Sequence, residues 1–133
     1  MSLYINSPGY FTRAYGIDED VYKLCAAISK QIDIPRYTDS LDTIGITPII
    51  APQSLTDDGM WKEERRVSTA SRMASISLRM DYEAYLNGNA SQRQAMMLEH
   101  ILRALQIVKT RLKDRFDYKS LEQDILQVSK HFL

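Results

Sequence analysis

The chain has 133 residues, 44% hydrophobic and 26% charged, which fits one domain over 1–133 with a sizeable core and excludes a disordered or fibrous class. Seventeen basic and seventeen acidic side chains cancel, and a pI near 6.7 is well short of that of a basic nucleic-acid-binding domain. The lone cysteine, Cys25, excludes an intrachain disulfide and is compatible with a reducing cytoplasm, and no apolar run approaches the length of a bilayer span.

The opening MSLYINSPGY has neither a basic n-region nor an apolar h-region, so no signal peptide is expected. Within it, Leu3 and Ile5 alternate with polar neighbours and predict a short strand over 2–6, ended by Ser7-Pro8-Gly9. Asp18 reads as an N-cap with Glu19 and Asp20 in the first turn. Ile17, Val21, Leu24, Cys25, Ile28 and Ile32 follow helical spacing, which predicts a helix over about 18–32 stopped by Pro35. A polar acidic loop, RYTDSLDT, leads into IGITPII, a β-branched strand in which Pro48 suggests an edge position or a bulge. Asp58-Gly59 marks the turn that follows.

Residues 61–80, WKEERRVSTASRMASISLRM, predict two antiparallel strands turning near Thr69–Arg72. Ala74, Ile76, Leu78 and Met80 share one face of the second strand, and Met73, Ser75, Ser77 and Arg79 share the other. Asp81–Asn87 reads as a possible helical turn ended by Asn87-Gly88. Ser91 and Gln94 fit a capping box for a long helix over about 91–114, carried by Ala95, Leu98, Ile101, Leu102, Leu105, Val108 and Leu112. Asp117 caps a last helix with Leu121, Ile125, Val128 and Phe132 on one face. Strands and helices look largely segregated. The expected fold is therefore α+β: a small antiparallel sheet of about four strands with about three helices packed on one face.

The charges are unevenly spread. Residues 1–60 carry eight acids against four bases, and residues 61–133 carry thirteen bases against nine acids. Little catalytic chemistry is visible. His100 and His131 lie in no metal-ligand spacing, Cys25 falls on an apolar stripe, and no phosphate-cradling loop or nucleophile elbow occurs. No catalytic residue, cofactor or metal is expected. Lys109, Arg111, Lys113, Arg115 and Lys119 cluster at the end of the long helix, where cations also suit the helix dipole. Eight tyrosines and one tryptophan suit a protein-binding surface; Tyr4, Tyr10, Tyr15, Tyr22 and Tyr37 all fall in the acidic first third, where they suit a basic partner.

The stretch WKEERR…SRMASISLRMDYEAYL, running into a tail that closes with LEHILRALQIVKTRL…FDYKSLEQDIL, resembles immunity proteins of bacterial contact-dependent growth inhibition and related polymorphic toxin systems. The resemblance implies a cytoplasmic, non-catalytic protein. Its partner would be the C-terminal toxin domain of a sibling cell's effector, expected to be a basic nuclease, with no direct nucleic-acid partner and no membrane. The expected toxin contacts, placed by charge and exposure, are Asp39 and Asp42 with Tyr37, and Asp57 and Asp58 beside Trp61. The ribbon face with Glu64, Arg66, Ser75, Ser77 and Arg79 is a second candidate. The alternatives are a small nucleic-acid-binding regulator and a self-associating adaptor whose open ribbon edge pairs with a second copy.

Overall fold

The computed structural model describes residues 3–5, 18–51, 60–65 and 72–132. Strand β1 (Leu3–Ile5) is followed by helix α1 (Asp18–Gln31), a 3₁₀ turn at Ile34–Arg36 and strand β2 (Thr43–Ala51). Strands β3 (Met60–Arg65) and β4 (Arg72–Asp81) come next. Helices α2 (Tyr82–Asn87), α3 (Ala90–Leu112) and α4 (Tyr118–Ser129) complete the order, with a second 3₁₀ turn at Lys113–Arg115.

The sheet runs β1-β2-β4-β3. Only β3 and β4 pair antiparallel; β1 pairs parallel to β2, and β2 parallel to β4. The expected antiparallel sheet is therefore corrected to a mixed one. The physical reason lies in the connections. Helix α1 carries the chain back over the sheet, so β2 must run in the same direction as β1. Strand β3 then reverses the chain, and β4 reverses it again and inserts beside β2, leaving β3 at the edge. Period-2 alternation marks a strand but not the direction of its neighbour.

Register confines the core to one face. Leu3 and Ile5 lie opposite Ile44 and Ile46, which lie opposite Ala74 and Ile76, and Pro48 lies opposite Leu78. All of these are buried. Helix α1 covers the face with Val21, Leu24, Cys25 and Ile28 and α3 with Met97, Ile101, Leu105 and Val108, while α4 packs Leu121 and Ile125 into the same core against α1 and α3. Burying such side chains stabilises the fold by about 1.5–3 kcal/mol each. Pro48 sits in an inner strand, yet among the described residues β1 pairs with β2 no further than Ile46. Beyond that point β2 has a partner only on the β4 side, so a missing N–H is tolerated there.

The α2–α3 corner is built around a buried cation. Arg93, 2% exposed, donates from Nε to the Tyr85 carbonyl at 2.7 Å and from Nη2 to the Leu86 carbonyl at 2.8 Å. Its guanidinium lies 4.8 Å from the centre of the Tyr85 ring. These are terminal carbonyls of α2, left without partners inside their own helix. Gly88 makes the corner possible, because a Cβ there would come within 3.3 Å of the Ala84 carbonyl and of Gln92 Cβ. The capping box of α3 is Asn89 and Gln92, with reciprocal bonds of 2.9 and 2.8 Å. The expected Ser91–Gln94 box is thus shifted by two residues. Gln94 instead donates to the Asp20 carbonyl at 3.2 Å and ties α3 to the start of α1. Asp117 caps α4 as expected, accepting from the Ser120 N–H at 3.3 Å.

Helix α3 ends at Lys113, a non-glycine residue with φ 56° and ψ −121°. That conformation favours glycine and carries strain of about 1–3 kcal/mol. Lys113→Gly is therefore expected to stabilise the protein by about 1 kcal/mol, after the entropy glycine adds to the unfolded chain. Arg93→Met keeps the apolar stem but removes the side-chain donor to the Leu86 carbonyl and one of the two donors to the Tyr85 carbonyl, which keeps the Gly88 N–H, and a loss of about 2–4 kcal/mol is expected. Urea unfolding midpoints test both; a destabilised glycine variant, or an Arg93→Met protein as stable as wild type, contradicts this account of the two corners.

Candidate functional site

Three surfaces are candidates. The first is the acidic loop after α1. The turn at Ile34–Arg36 delivers Tyr37 into the body of the protein, where it is 7% exposed. Its hydroxyl donates to Asp124 Oδ2 on α4, and its carbonyl accepts from the Asp117 N–H at 2.8 Å. Burial, followed by the hydrogen bond to Asp124, pushes the phenol up to about 12. Tyr37 thus pins the loop to α4 rather than facing a partner. Asp42 is also committed internally: its carboxylate accepts from the Arg72 N–H at 2.8 Å, and its own N–H donates to the Arg72 carbonyl at 2.8 Å. It fixes where β4 starts beside β2.

Of the loop acids, Asp39 is exposed. It stands on the rim of a polar hollow of about 520 Å³, with Arg36, Lys109, Asp114, Arg115 and Asp117 around it. Bases and acids alternate there, so the hollow has no single sign. Lys109 is partly used by the fold, donating to the carbonyls of Lys113 at 2.8 Å and Phe116 at 3.3 Å. The basic cluster at the end of α3 is therefore interleaved with acids and partly spent on capping. Asp57, Asp58 and Arg66 lie outside the described residues. Trp61 and Glu64 occupy β3 at register positions opposite Ile76 and Met73. Of the expected acidic group, Asp39 and Asp42 thus fall in the described loop.

The second surface is the sheet face away from the helices. Thr47, Met73, Ser75, Ser77 and Arg79 are half-buried on it, Ile49 is 38% exposed and Tyr4 54% exposed. Tyr4, Gly45 and Ser75 form one row across three strands, and Thr47 and Ser77 the next. Among the described residues, a Cβ added at Gly45 would meet nothing closer than Ser75 Oγ at 3.8 Å. Arg79 lies opposite Ile49 at its far end.

The third surface joins Tyr4 and Tyr22, which the sequence marks among the tyrosines suited to an interface without bringing the two together. Tyr4 on β1 and Tyr22 on α1 line one mainly apolar hollow of about 340 Å³, together with Cys25, Ala26, Ser29 and Lys30. Tyr22 is 57% exposed. A signal was present: both tyrosines fall off the apolar stripe of their own element, Tyr4 between Leu3 and Ile5 and Tyr22 between Val21 and Leu24.

Catalytic groups are sparse. Cys25 is buried, and desolvation pushes its thiol up to about 12, which removes the thiolate needed for nucleophilic chemistry at neutral pH. His100 is buried in the middle of α3, and His131 is exposed just after α4. Among the described residues no group of three His, Cys, Asp or Glu side chains could hold a metal ion. No helix among them is long and apolar enough to cross a membrane.

Comparison with known proteins adds one finding. The family model for immunity protein 44 matches residues 1–130. No curated protein and no solved structure matches the chain.

The Tyr37 pin has a pH signature. Its ordinary value is 10 and folding raises it to about 12, so the folded protein holds this proton more tightly than the unfolded chain. The associated stability is fully present below pH 10 and is lost as the pH rises towards 12. Denaturant titrations are expected to show stability falling through this window. Tyr37→Phe should flatten the fall and cost about 1 kcal/mol at neutral pH, the worth of one hydrogen bond. An equally steep alkaline fall in the variant would rule out Tyr37 as its source; Tyr118, raised by burial and by its bond to Glu122, would retain its own share.

Proposed function

The chain belongs to the immunity protein 44 family, and from that premise we propose that it binds the toxin domain delivered by a sibling cell and neutralises it by covering its active or substrate-binding site. The single observation carrying this reading is the family match over nearly the whole chain. The reading needs no catalytic step from this protein, in keeping with a buried, protonated Cys25 and a buried His100. A sheet whose one face is packed by helices leaves its other face, with half-buried Thr47, Ser75 and Ser77, as a surface that a stoichiometric inhibitor could use.

The finer reading is that the toxin is a nuclease forming the C-terminal domain of a contact-dependent growth-inhibition effector, met in the cytoplasm where its substrate lies. A nuclease face is basic because it binds phosphates. Acids of this chain that are not consumed by its own fold would then steer the encounter. Asp39 is the exposed one in the described part of the loop, and Asp57 and Asp58 add two more in sequence. Steering of this kind raises the association rate more than it lowers the dissociation rate.

The test is direct. The C-terminal domain of the protein encoded immediately upstream of this gene, taken as the candidate toxin, is expressed alone and together with this protein. Co-expression is expected to restore growth, and the two purified proteins should form a complex that survives a high-salt wash. Toxin activity left intact by an equimolar amount of the purified protein would sink the proposal.

A further inference from the structure

The hollow between β1 and α1 stands apart from the rest of the surface. Four large hydrophobic residues are exposed among those described, and two of them, Tyr4 at 54% and Tyr22 at 57%, line this one hollow. Its floor and wall are Cys25, Ala26 and buried Ser29, and the remaining lining is mostly carbon. It lies against β1, which forms an edge of the sheet. Neither tyrosine is needed by the core: their neighbours Leu3, Ile5, Val21 and Leu24 already fill it. Tyrosines placed this way offer broad, rigid contact area with a polar tip, the chemistry of an interface anchor.

The charge around the hollow selects among occupants. Lys30 is the one ionic side chain among the lining residues. It projects from the last turn of α1, and among the described residues no acid shares the lining with it. An apolar group carried next to a carboxylate complements that arrangement, whereas a basic segment would meet like charge. Resting on the immunity reading, we infer that this hollow anchors the toxin by accepting one large apolar side chain that the toxin carries beside an acidic residue. The anchor is held by apolar contact, so dissociation depends little on salt, whereas encounter guided by exposed acids such as Asp39 depends on it strongly.

The experiment uses the full chain and the candidate toxin domain of the co-expression test, with rates measured by surface plasmon resonance at low and high salt. Tyr22→Ala removes an exposed anchor, and Ala26→Trp fills the hollow from its exposed side; Asp39→Lys serves as the comparison away from it. Circular dichroism and thermal unfolding confirm that each variant is folded. Tyr22→Ala and Ala26→Trp are each expected to speed dissociation more than tenfold at both salt concentrations. Asp39→Lys should chiefly slow association, and more so at low salt. Lys30→Glu should also weaken the complex, by several-fold. Unchanged dissociation in both hollow variants, with wild type binding normally, overturns the anchor and leaves the immunity reading standing. A self-associated form lost in Tyr22→Ala, with toxin binding intact, would assign the hollow to a second copy and equally overturn it. A wild-type protein that fails to bind the toxin at all removes both readings together.

Discussion

The crossover through α1 is the constraint on which the rest of the molecule depends. A helix between β1 and β2 forces the two strands to run in parallel and presses its own apolar stripe onto one face of the sheet. Once β4 has zipped to β2 in parallel register, Ile44, Ile46 and Pro48 on one strand and Ala74, Ile76, Leu78 and Met80 on the other are committed to that face. Slipping the register by one residue would bring Ser75, Ser77 and Arg79 against α3 and turn Ile76 and Leu78 to solvent. The covered face therefore fixes the uncovered one. The position of the β1–α1 hollow follows as well, because it forms where the crossover helix overhangs the edge strand.

Polar groups hold the ends of these elements, and they explain why charge alone does not locate a binding surface. Asp42 is an acid in a polar loop, but two hydrogen bonds with Arg72 make it the clamp that starts β4. Asp117 caps α4, and Asp124 receives the Tyr37 hydroxyl. Arg93 is a cation wholly consumed in closing α2 against α3. Each of these side chains satisfies a backbone or phenolic group that would otherwise be stranded. A surface charge becomes available to a partner only after such internal demands are met, and among the loop acids described Asp39 meets that condition.

Much of the fold was legible in the sequence, for reasons specific to particular residues. The 3.6-residue spacing of Leu98, Ile101, Leu105, Val108 and Leu112 left α3 little choice, and strict alternation from Ala74 to Met80 did the same for β4. Pairing direction was not legible from alternation, although the β-α-β order at the start of the chain carried it. The α3 cap was read at Ser91 because the Ser-x-x-Gln spacing is right there. Asn89-x-x-Gln92 has equal spacing and directly follows Gly88, whose missing side chain lets the corner close. Tyr37 was read as surface because aromatic residues in polar loops so often are. Only the long-range bond to Asp124, 87 residues away, turns it inward. The two exposed tyrosines were legible in principle, as aromatics out of phase with their own stripes.

The same alternation that builds the core also separates stability from recognition. Residues on the covered parity, such as Ile44, Ile46, Ile76 and Leu78, each anchor the sheet to a helix, so exchanging them disturbs packing at a cost of about 1–5 kcal/mol. Residues on the other parity and on the outer side of α1, such as Thr47, Ser75, Ser77, Tyr22 and Ala26, touch little of the core. Exchanges there usually change stability by no more than about 0.5 kcal/mol. A scaffold of this kind can change what it binds without changing how it folds. For an inhibitor that must match one partner closely, that independence is the useful property. Side chains on the second parity are ones whose identity the fold does not dictate.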